Sequence, residues 1–252
     1  MRENERALRP SAAARCALGA ALLIVSGVTA PARQAGVSNG GRESELTASG
    51  AIAKDAGPKD VDQQSGFRLP LPKRDDMDDL GKKLYDQYAT PNPQSLAGLR
   101  GPAGIRLYSP LEAQHESEHN HYLRFDAGFN PRIRELAILV SAREADSQFE
   151  WAAHEPAARK EGLDPKIIDI VKYRKSPAGL PETEAVIIQL GREMFDKKKV
   201  RSETFARALK IFGPRGMVNM VALMGDYCAT AALLTAFDMQ LPPGEKPQLP
   251  PR

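Results

Sequence analysis

Two residues of one short segment have the types and the spacing that acid–base chemistry uses. In the segment DSQFEWAAHEP, Glu150 and His154 lie four positions apart, so on a helix they share one face. A carboxylate beside an imidazole is an arrangement found in general acid–base catalysis. The structural alternative is an ordinary surface pair, since charged pairs with this spacing are common on helices.

A second histidine pattern lies earlier, in the segment HESEHNH. His115 and His119 fit H-E-x-x-H, in which two histidines on one helical face bind zinc and the intervening glutamate, here Glu116, is the base. The extended motif places a third histidine six residues later, where this chain has Phe125. We therefore predict no metal site here and expect His115 to be a packed histidine with a hydrogen-bond partner. A zinc protein is the third and least favoured hypothesis.

The N-terminal segment has the plan of an export signal. Residues 1–30 begin with four arginines, continue with the apolar run CALGAALLIVSGVTA and end in small residues. We predict a signal peptide and hence a periplasmic or secreted protein. An organelle transit peptide and an uncleaved membrane anchor are the alternatives. Since the apolar run is short and rich in small residues, we expect no stable membrane insertion after cleavage.

Charge and cysteine content exclude some classes of function. The net charge of the 252-residue chain is +3, and residues 1–30 supply two of those charges. The nearly neutral remainder has no basic patch of the kind that binds nucleic acid, so we predict no such partner. Outside residues 1–30 the only cysteine is Cys228, which has no second cysteine for an internal disulfide.

Beyond the leader, composition divides the chain into three parts. Residues 31–66 are small, polar and charged, which predicts a disordered linker, because such a segment buries too little apolar surface to offset its ordering entropy. Residues 67–242 carry apolar residues at helical spacing without sustained alternation, which predicts an all-α domain built as a helical bundle. Residues 243–252 are rich in proline and predict an extended tail.

Proline and capping residues predict several helix boundaries. Ser109 and Asp164 each precede a proline, the sequence of an N-cap followed by a first helical position. Pro156 falls inside a predicted helix at 147–162 and predicts a kink. Pro214 is predicted to begin a separate, long apolar helix near the C-terminus.

The segment RIRELAILVSAREADSQFEWAAHEPAARKEGLDPKIIDIV resembles the carboxymuconolactone decarboxylase family of the alkylhydroperoxidase D-like superfamily. The pieces R-x-R-E-L, E-W-x-x-H and A-x-x-x-G-L occur in that order, and the resemblance extends over nearly the whole predicted domain. It implies a helical bundle of that type. It also implies a homo-oligomer, either a trimer or a hexamer.

The peroxidase branch of that superfamily has a glutamate, eleven residues, C-x-x-C, three residues and a histidine. Counted from Glu135, the cysteine positions fall on Ser147 and Glu150, and the histidine position falls on His154. Peroxide reduction in that branch needs both a nucleophilic and a resolving thiol. Because both cysteines are replaced, we do not expect thiol peroxidase activity.

The decarboxylase branch removes CO₂ from a small unsaturated lactone acid without a cofactor, and the resemblance implies similar chemistry here. The charge of Glu150 leaves open whether the substrate is a carboxylate or a neutral molecule that is isomerised or hydrolysed. The alternative function is a binding or assembly module without turnover. The candidate catalytic residues are Glu135, Glu150, His154 and Ser147, and the candidate substrate-binding residues are Arg134, Arg143 and Trp151.

Overall fold

The described part of the computed structural model, residues 58–91 and 97–251, is an all-α bundle without strands, as predicted. The predicted signal peptide at 1–30 lies outside the described residues, as does the predicted linker up to residue 57. The described residues form eight α-helices, which are α1 Asp79–Ala89, α2 Pro102–Arg106, α3 Pro110–His121, α4 Pro131–Glu144, α5 Gln148–Lys160, α6 Pro165–Lys172, α7 Glu182–Phe195 and α8 Ser202–Ala236.

Helix α4 is the centre of the bundle. It packs against α5, α7 and α8, and nearly all of its residues are buried, including Leu136 and Leu139, which have no exposed surface. Gly191 lets α7 approach α4 and α8 closely, because a Cβ at this position would lie 2.3 Å from Val140 Cγ1 and 2.6 Å from Met224 Cε. The main core is therefore built around a helix that is buried on most of its circumference.

Most of the predicted helix starts agree with the structure. The side chain of Asp164 accepts a hydrogen bond from the Lys166 amide and caps α6, with Pro165 at the first helical position. Helix α3 begins at Pro110 as predicted, but the side chain of Ser109 makes no capping hydrogen bond. Helix α5 continues past Pro156 as one element.

Helix α8 consists of two helical parts joined at a glycine. Gly213 has φ +65° and ψ 175°, which are not helical values, and Pro214 begins the second part as predicted. By length and composition α8 is the one described helix that could cross a membrane. Half of its most apolar window is nevertheless buried inside the fold, as in the core helix of a bundle.

The folded part begins earlier than the predicted boundary at residue 67. Residues 58–66 form a turn in which Ser65 is fully buried and its hydroxyl donates to the Leu69 carbonyl at 2.7 Å. The Gly66 carbonyl accepts a hydrogen bond from the Gln240 amide, so this segment pairs with the other end of the domain. Backbone pairing orders a segment whose composition alone predicted disorder.

The predicted tail, 243–252, contains a turn at Pro243 and Gly244, and its described residues are attached to the bundle. Leu249 is only 5% exposed and belongs to the main core. The side chain of Gln148 donates to the Leu249 carbonyl and accepts from the Leu249 amide, both at 2.9 Å. The tail therefore lies against the first turn of α5.

Candidate active site

A histidine and two carboxylates meet where α4 packs on α5. The Ser147 hydroxyl caps α5, which places Glu150 in the first turn and His154 one turn later. His154 Nδ1 lies 2.8 Å from Glu135 Oε2 on α4, and His154 Nε2 lies 3.6 Å from Glu150 Oε2. All three side chains are at most 5% exposed, so this is not the solvated surface pair that the spacing alone allowed.

The two carboxylates have opposite electrostatic environments. Burial acts to raise the pKa of Glu135, but the hydrogen bond with His154 and the charges of Arg134 and Arg124 outweigh it and lower that pKa. Burial also raises the pKa of Glu150, and there the nearby positive charges do not compensate. Glu135 is thus favoured in its ionised form and Glu150 in its neutral form. Acid–base sites often contain two carboxyl groups whose environments shift their pKa values in opposite directions.

A cavity of about 220 Å³ lies beside this cluster. Its wall comes from α1, α2, α3, α5, α8 and the π-helical turn Tyr122–Asp126 that follows α3. Glu135 does not line the cavity and is 1% exposed, so His154 is the member of this hydrogen-bonded pair that a bound molecule meets. The chemically distinctive lining residues are Arg106, Glu116, Arg124, Glu150, His154 and Tyr227.

Tyr227 fixes the position of the histidine ring. Its ring meets the His154 imidazole edge-on, with centroids 5.0 Å apart and an interplanar angle of 88°. Burial raises the pKa of the Tyr227 phenol far above its usual range, so the hydroxyl stays neutral. Packing from Tyr227 and the hydrogen bond with Glu135 together restrain the imidazole.

The π-helical turn carries Arg124 into the cavity wall. Single π-helical turns are rare in proteins, and those that do occur are frequently found at functional sites. The guanidinium of Arg124 lies 4.9 Å from the centroid of the Phe125 ring, and the Arg124 carbonyl accepts a hydrogen bond from Arg134 Nη1 at 3.0 Å. Arg134 also donates from Nε to Glu135 Oε1 at 3.0 Å, so one side chain braces both the turn and the buried carboxylate.

Glu116 enters the site from α3. Its Oε1 lies 3.3 Å from Arg106 Nη2. Burial raises the pKa of Glu116 to about 7. The charge of Arg106 opposes this shift, and repulsion from Asp226, Glu112 and Glu150 adds to it. The sequence raised this residue only as the base of a zinc helix, whereas the structure places it in the wall of the cavity that His154 lines.

The residues predicted to bind substrate lie elsewhere. Trp151 is fully buried in the core, and its Nε1–H donates to Glu155 Oε2 at 2.6 Å. Arg143 is 2% exposed and forms an ion pair with Asp146. Arg134 forms an ion pair with Glu135. None of the three lines the cavity, because α4 and this face of α5 are turned toward the interior of the bundle.

Ser147 is also used differently from the prediction. Its hydroxyl accepts a hydrogen bond from the Glu150 amide at 3.3 Å, so Ser147 caps the N-terminus of α5, and it does not line the cavity. Its contribution to the site is therefore indirect. It fixes the first turn of the helix that carries Glu150.

The expected packing of α3 was wrong. His115 and His119 are both exposed, and the buried position of this helix is Ala113, which turns Glu116 inward. Among the described residues no group of three or more histidine, cysteine, aspartate or glutamate side chains is arranged to hold a metal ion. Helix α3 therefore contributes a carboxylate to the cavity and presents His115 and His119 to solvent.

The sequence did not single out several cavity residues, among them Arg106, Arg124, Tyr227 and Thr230. One of them had a usable signal, because Arg106 is a lone charge between Ile105 and Leu107, which are both almost fully buried. A charged residue within an apolar segment is rarely buried unless it has a partner or a function. For Arg124 and Tyr227 the sequence offers no comparable signal.

No family model matches this chain, and no curated protein is similar to it. The described residues by themselves define an all-α bundle in which a buried Glu–His–Glu cluster adjoins a small cavity. Such a cluster can give and take a proton at one fixed place.

Proposed function

We propose that this protein is a carboxymuconolactone decarboxylase-like enzyme that transfers a proton, without a cofactor, to or from a small unsaturated acid or lactone. The observation that carries the proposal is the contact of 2.8 Å between Glu135 Oε2 and Nδ1 of His154, which lines the cavity. Glu135 holds the imidazole in one orientation and tautomer, and Nε2 is the nitrogen that remains for a substrate.

The residue positions support the proposed family. Glu135 and His154 are the two positions retained from the family pattern, and they are in contact. Glu150 stands at the second cysteine position of the peroxidase branch, 3.6 Å from His154 Nε2. A carboxyl group at this place favours proton transfer over thiol chemistry.

In a decarboxylation, the bond between the substrate carboxyl carbon and its neighbour breaks and CO₂ leaves. The electron pair passes into the conjugated system as a dienolate. The new C–H bond then forms with a proton from Nε2 of a His154 imidazolium or from a protonated Glu150 carboxyl, and water returns a proton to the donor. In an isomerisation, His154 removes a proton from one carbon and the same cluster delivers it to another.

The neutral bias of Glu150 bears on the substrate charge that the sequence left open. Burial raises the pKa of Glu150, which weakens the repulsion that this residue exerts on a bound carboxylate. Arg106 and Arg124 add positive charge to the same wall. A carboxylate substrate is therefore compatible with this cavity.

The test is a search for turnover with the full chain. A panel of carboxylated lactones, β-keto acids and unsaturated acids is screened for CO₂ release, and for carbon-bound hydrogen exchange in D₂O by NMR. We expect His154→Gln to lower the rate by about 10²–10⁴-fold, the usual contribution of a general acid or base. The matched control is His119→Gln, an exposed histidine, which should leave the rate unchanged.

Two outcomes would contradict the proposed enzymatic function. An active wild type whose rate survives His154→Gln would place the chemistry elsewhere. The lack of both CO₂ release and hydrogen exchange from every compound would favour the binding or assembly module.

A further inference from the structure

Arg106 is a buried cation with unused hydrogen-bond donors. It ends α2, is 7% exposed and lines the cavity. Its Nη2 donates to Thr230 Oγ1 at 3.0 Å, while its Nε is buried without a hydrogen-bond acceptor among the described residues. A guanidinium has five N–H groups, and leaving them unsatisfied away from water is costly. A ligand that supplies acceptor oxygens would remove that cost.

The acidic neighbours of Arg106 hold it only loosely. Glu116 Oε1 lies 3.3 Å from Nη2, and Glu112 Oε1 lies 3.6 Å from Nε. Both distances exceed the roughly 2.7–2.9 Å of a strong charge-assisted hydrogen bond. Glu112 is also more than half exposed, so solvent weakens its attraction.

We propose that Arg106, with the Thr230 hydroxyl beside it, binds the carboxylate of the substrate. The subsite rests on the proposed function only in that it lies in the cavity lined by His154. Its ligand class is a small conjugated carboxylate, because a guanidinium takes a carboxylate in a bidentate contact and the rings of Phe125 and Phe149 form part of the wall.

Glu116 competes with that carboxylate for Arg106. The groups that face Glu116 are Arg106 of α2, Tyr88 of α1, Glu112 of its own helix, Glu150 of α5 and Asp226 of α8. Of these groups only Arg106 is a cation. Burial and repulsion from the neighbouring carboxylates raise the pKa of Glu116 to about 7. A protonated Glu116 leaves Arg106 available to a ligand, whereas an ionised Glu116 opposes a second anion. Carboxylate binding should therefore weaken as the pH rises through neutrality.

Calorimetric titration with sorbate, a conjugated six-carbon carboxylate, tests the subsite in the full chain. Sorbyl alcohol, which has the same carbon skeleton without the charge, is the ligand control. We expect Arg106→Gln to weaken sorbate binding by about tenfold or more, as for the loss of a hydrogen bond to a charged group, and to leave the alcohol unaffected. Arg106→Lys should restore only part of the affinity, because an ammonium lacks the bidentate geometry.

The matched protein control is Arg100→Gln, an exposed arginine close in sequence, which should bind sorbate like the wild type. Glu116→Gln provides a second, independent test, since it should bind sorbate equally at pH 6 and pH 8 where the wild type binds more weakly at pH 8. Thermal unfolding of each variant shows that it is folded. Equal affinity of wild type and Arg106→Gln, or no binding of sorbate to the wild type, would overturn the subsite.

The same titrations separate this inference from the proposed enzyme. His154→Gln should lose turnover and keep sorbate binding. If turnover survives in that variant while Arg106→Gln loses sorbate, the proposed chemistry fails and the carboxylate subsite stands. If His154→Gln removes turnover and Arg106→Gln binds sorbate normally, the subsite fails and the chemistry stands.

Discussion

His154 Nδ1 lies 2.8 Å from Glu135 Oε2, although 19 positions separate the two residues in the chain. The contact joins α5 to α4, the most buried helix of the bundle, and both side chains are at most 5% exposed. A buried carboxylate in this position sets the tautomer and orientation of the imidazole. The His154 imidazole in the cavity wall is therefore anchored to the core of the fold.

Replacement of that anchor should impair the chemistry more than the fold. In Glu135→Gln the side chain keeps its size but loses its charge, so we expect the rate of proton transfer to fall by about 10²–10³-fold. Glu135→Asp, which restores the charge, should recover part of the rate. Steady-state kinetics on a substrate found in the turnover screen measures both. A Glu135→Asp rate no higher than that of Glu135→Gln would assign Glu135 a purely structural role.

The same substitution should alter the pH dependence of stability. The pKa of Glu135 is lowered below its ordinary value of 4.5, so its stabilising contribution is present above about pH 4.5 and is lost as the pH falls through the folded-state pKa. The free energy of unfolding of wild type and Glu135→Gln, measured in urea between pH 3 and pH 7, should therefore converge on acidification. Curves that stay parallel would contradict the lowered pKa.

Glu116 should act on stability in the opposite direction. Its pKa is raised from 4.5 to about 7, so the folded state keeps a proton that the unfolded state releases between these values, and stability decreases as the pH rises through that window. Glu116→Gln removes this penalty and should raise the melting temperature at pH 8 by a few degrees relative to the wild type.

The comparison for Glu116→Gln is made at pH 4, where the glutamate is mostly protonated in both states and the two proteins should differ little in melting temperature. Glu118→Gln is the control, since Glu118 lies on the same helix and is exposed. A melting difference between wild type and Glu116→Gln that is the same at pH 4 and pH 8 would show that Glu116 does not titrate in this window.

Ser147 should matter for stability and not for chemistry. Its hydroxyl caps α5, so Ser147→Ala should lower the free energy of unfolding by about 1 kcal/mol, a typical cost for losing an N-cap. The rate of proton transfer should stay within about threefold of the wild type, because α5 is held by packing along its length. A loss comparable to that of His154→Gln would instead give the hydroxyl a direct catalytic role.

Trp151 should behave as a core residue. Trp151→Phe removes the hydrogen bond to Glu155 and part of a fully buried ring, which should cost about 1–3 kcal/mol in denaturant unfolding followed by circular dichroism. Sorbate binding should be unchanged, since Trp151 does not line the cavity. A weaker sorbate affinity in a folded variant would return this residue to the binding site.

The local parts of this fold could be predicted from sequence. The all-α class follows from apolar spacing, and the starts of α3 and α6 follow from prolines and neighbouring polar residues, because these effects act within one or two turns. The pairing of Glu150 with His154 is equally local, since a spacing of four places both on one helical face. What the spacing could not supply was the burial that makes this pair a candidate site.

The rest of the cavity depends on contacts between distant segments. Arg106 and Thr230 are 124 positions apart, and their hydrogen bond exists only because α2 packs on α8. On α3 the sequence favoured His115 as the packed residue, whereas its neighbour Glu116 faces the cavity. Adjacent helical residues point about 100° apart, and α3 has too few apolar residues to define its inner face. The sequence therefore determined which helices form, and only their packing decided which side chains share the site.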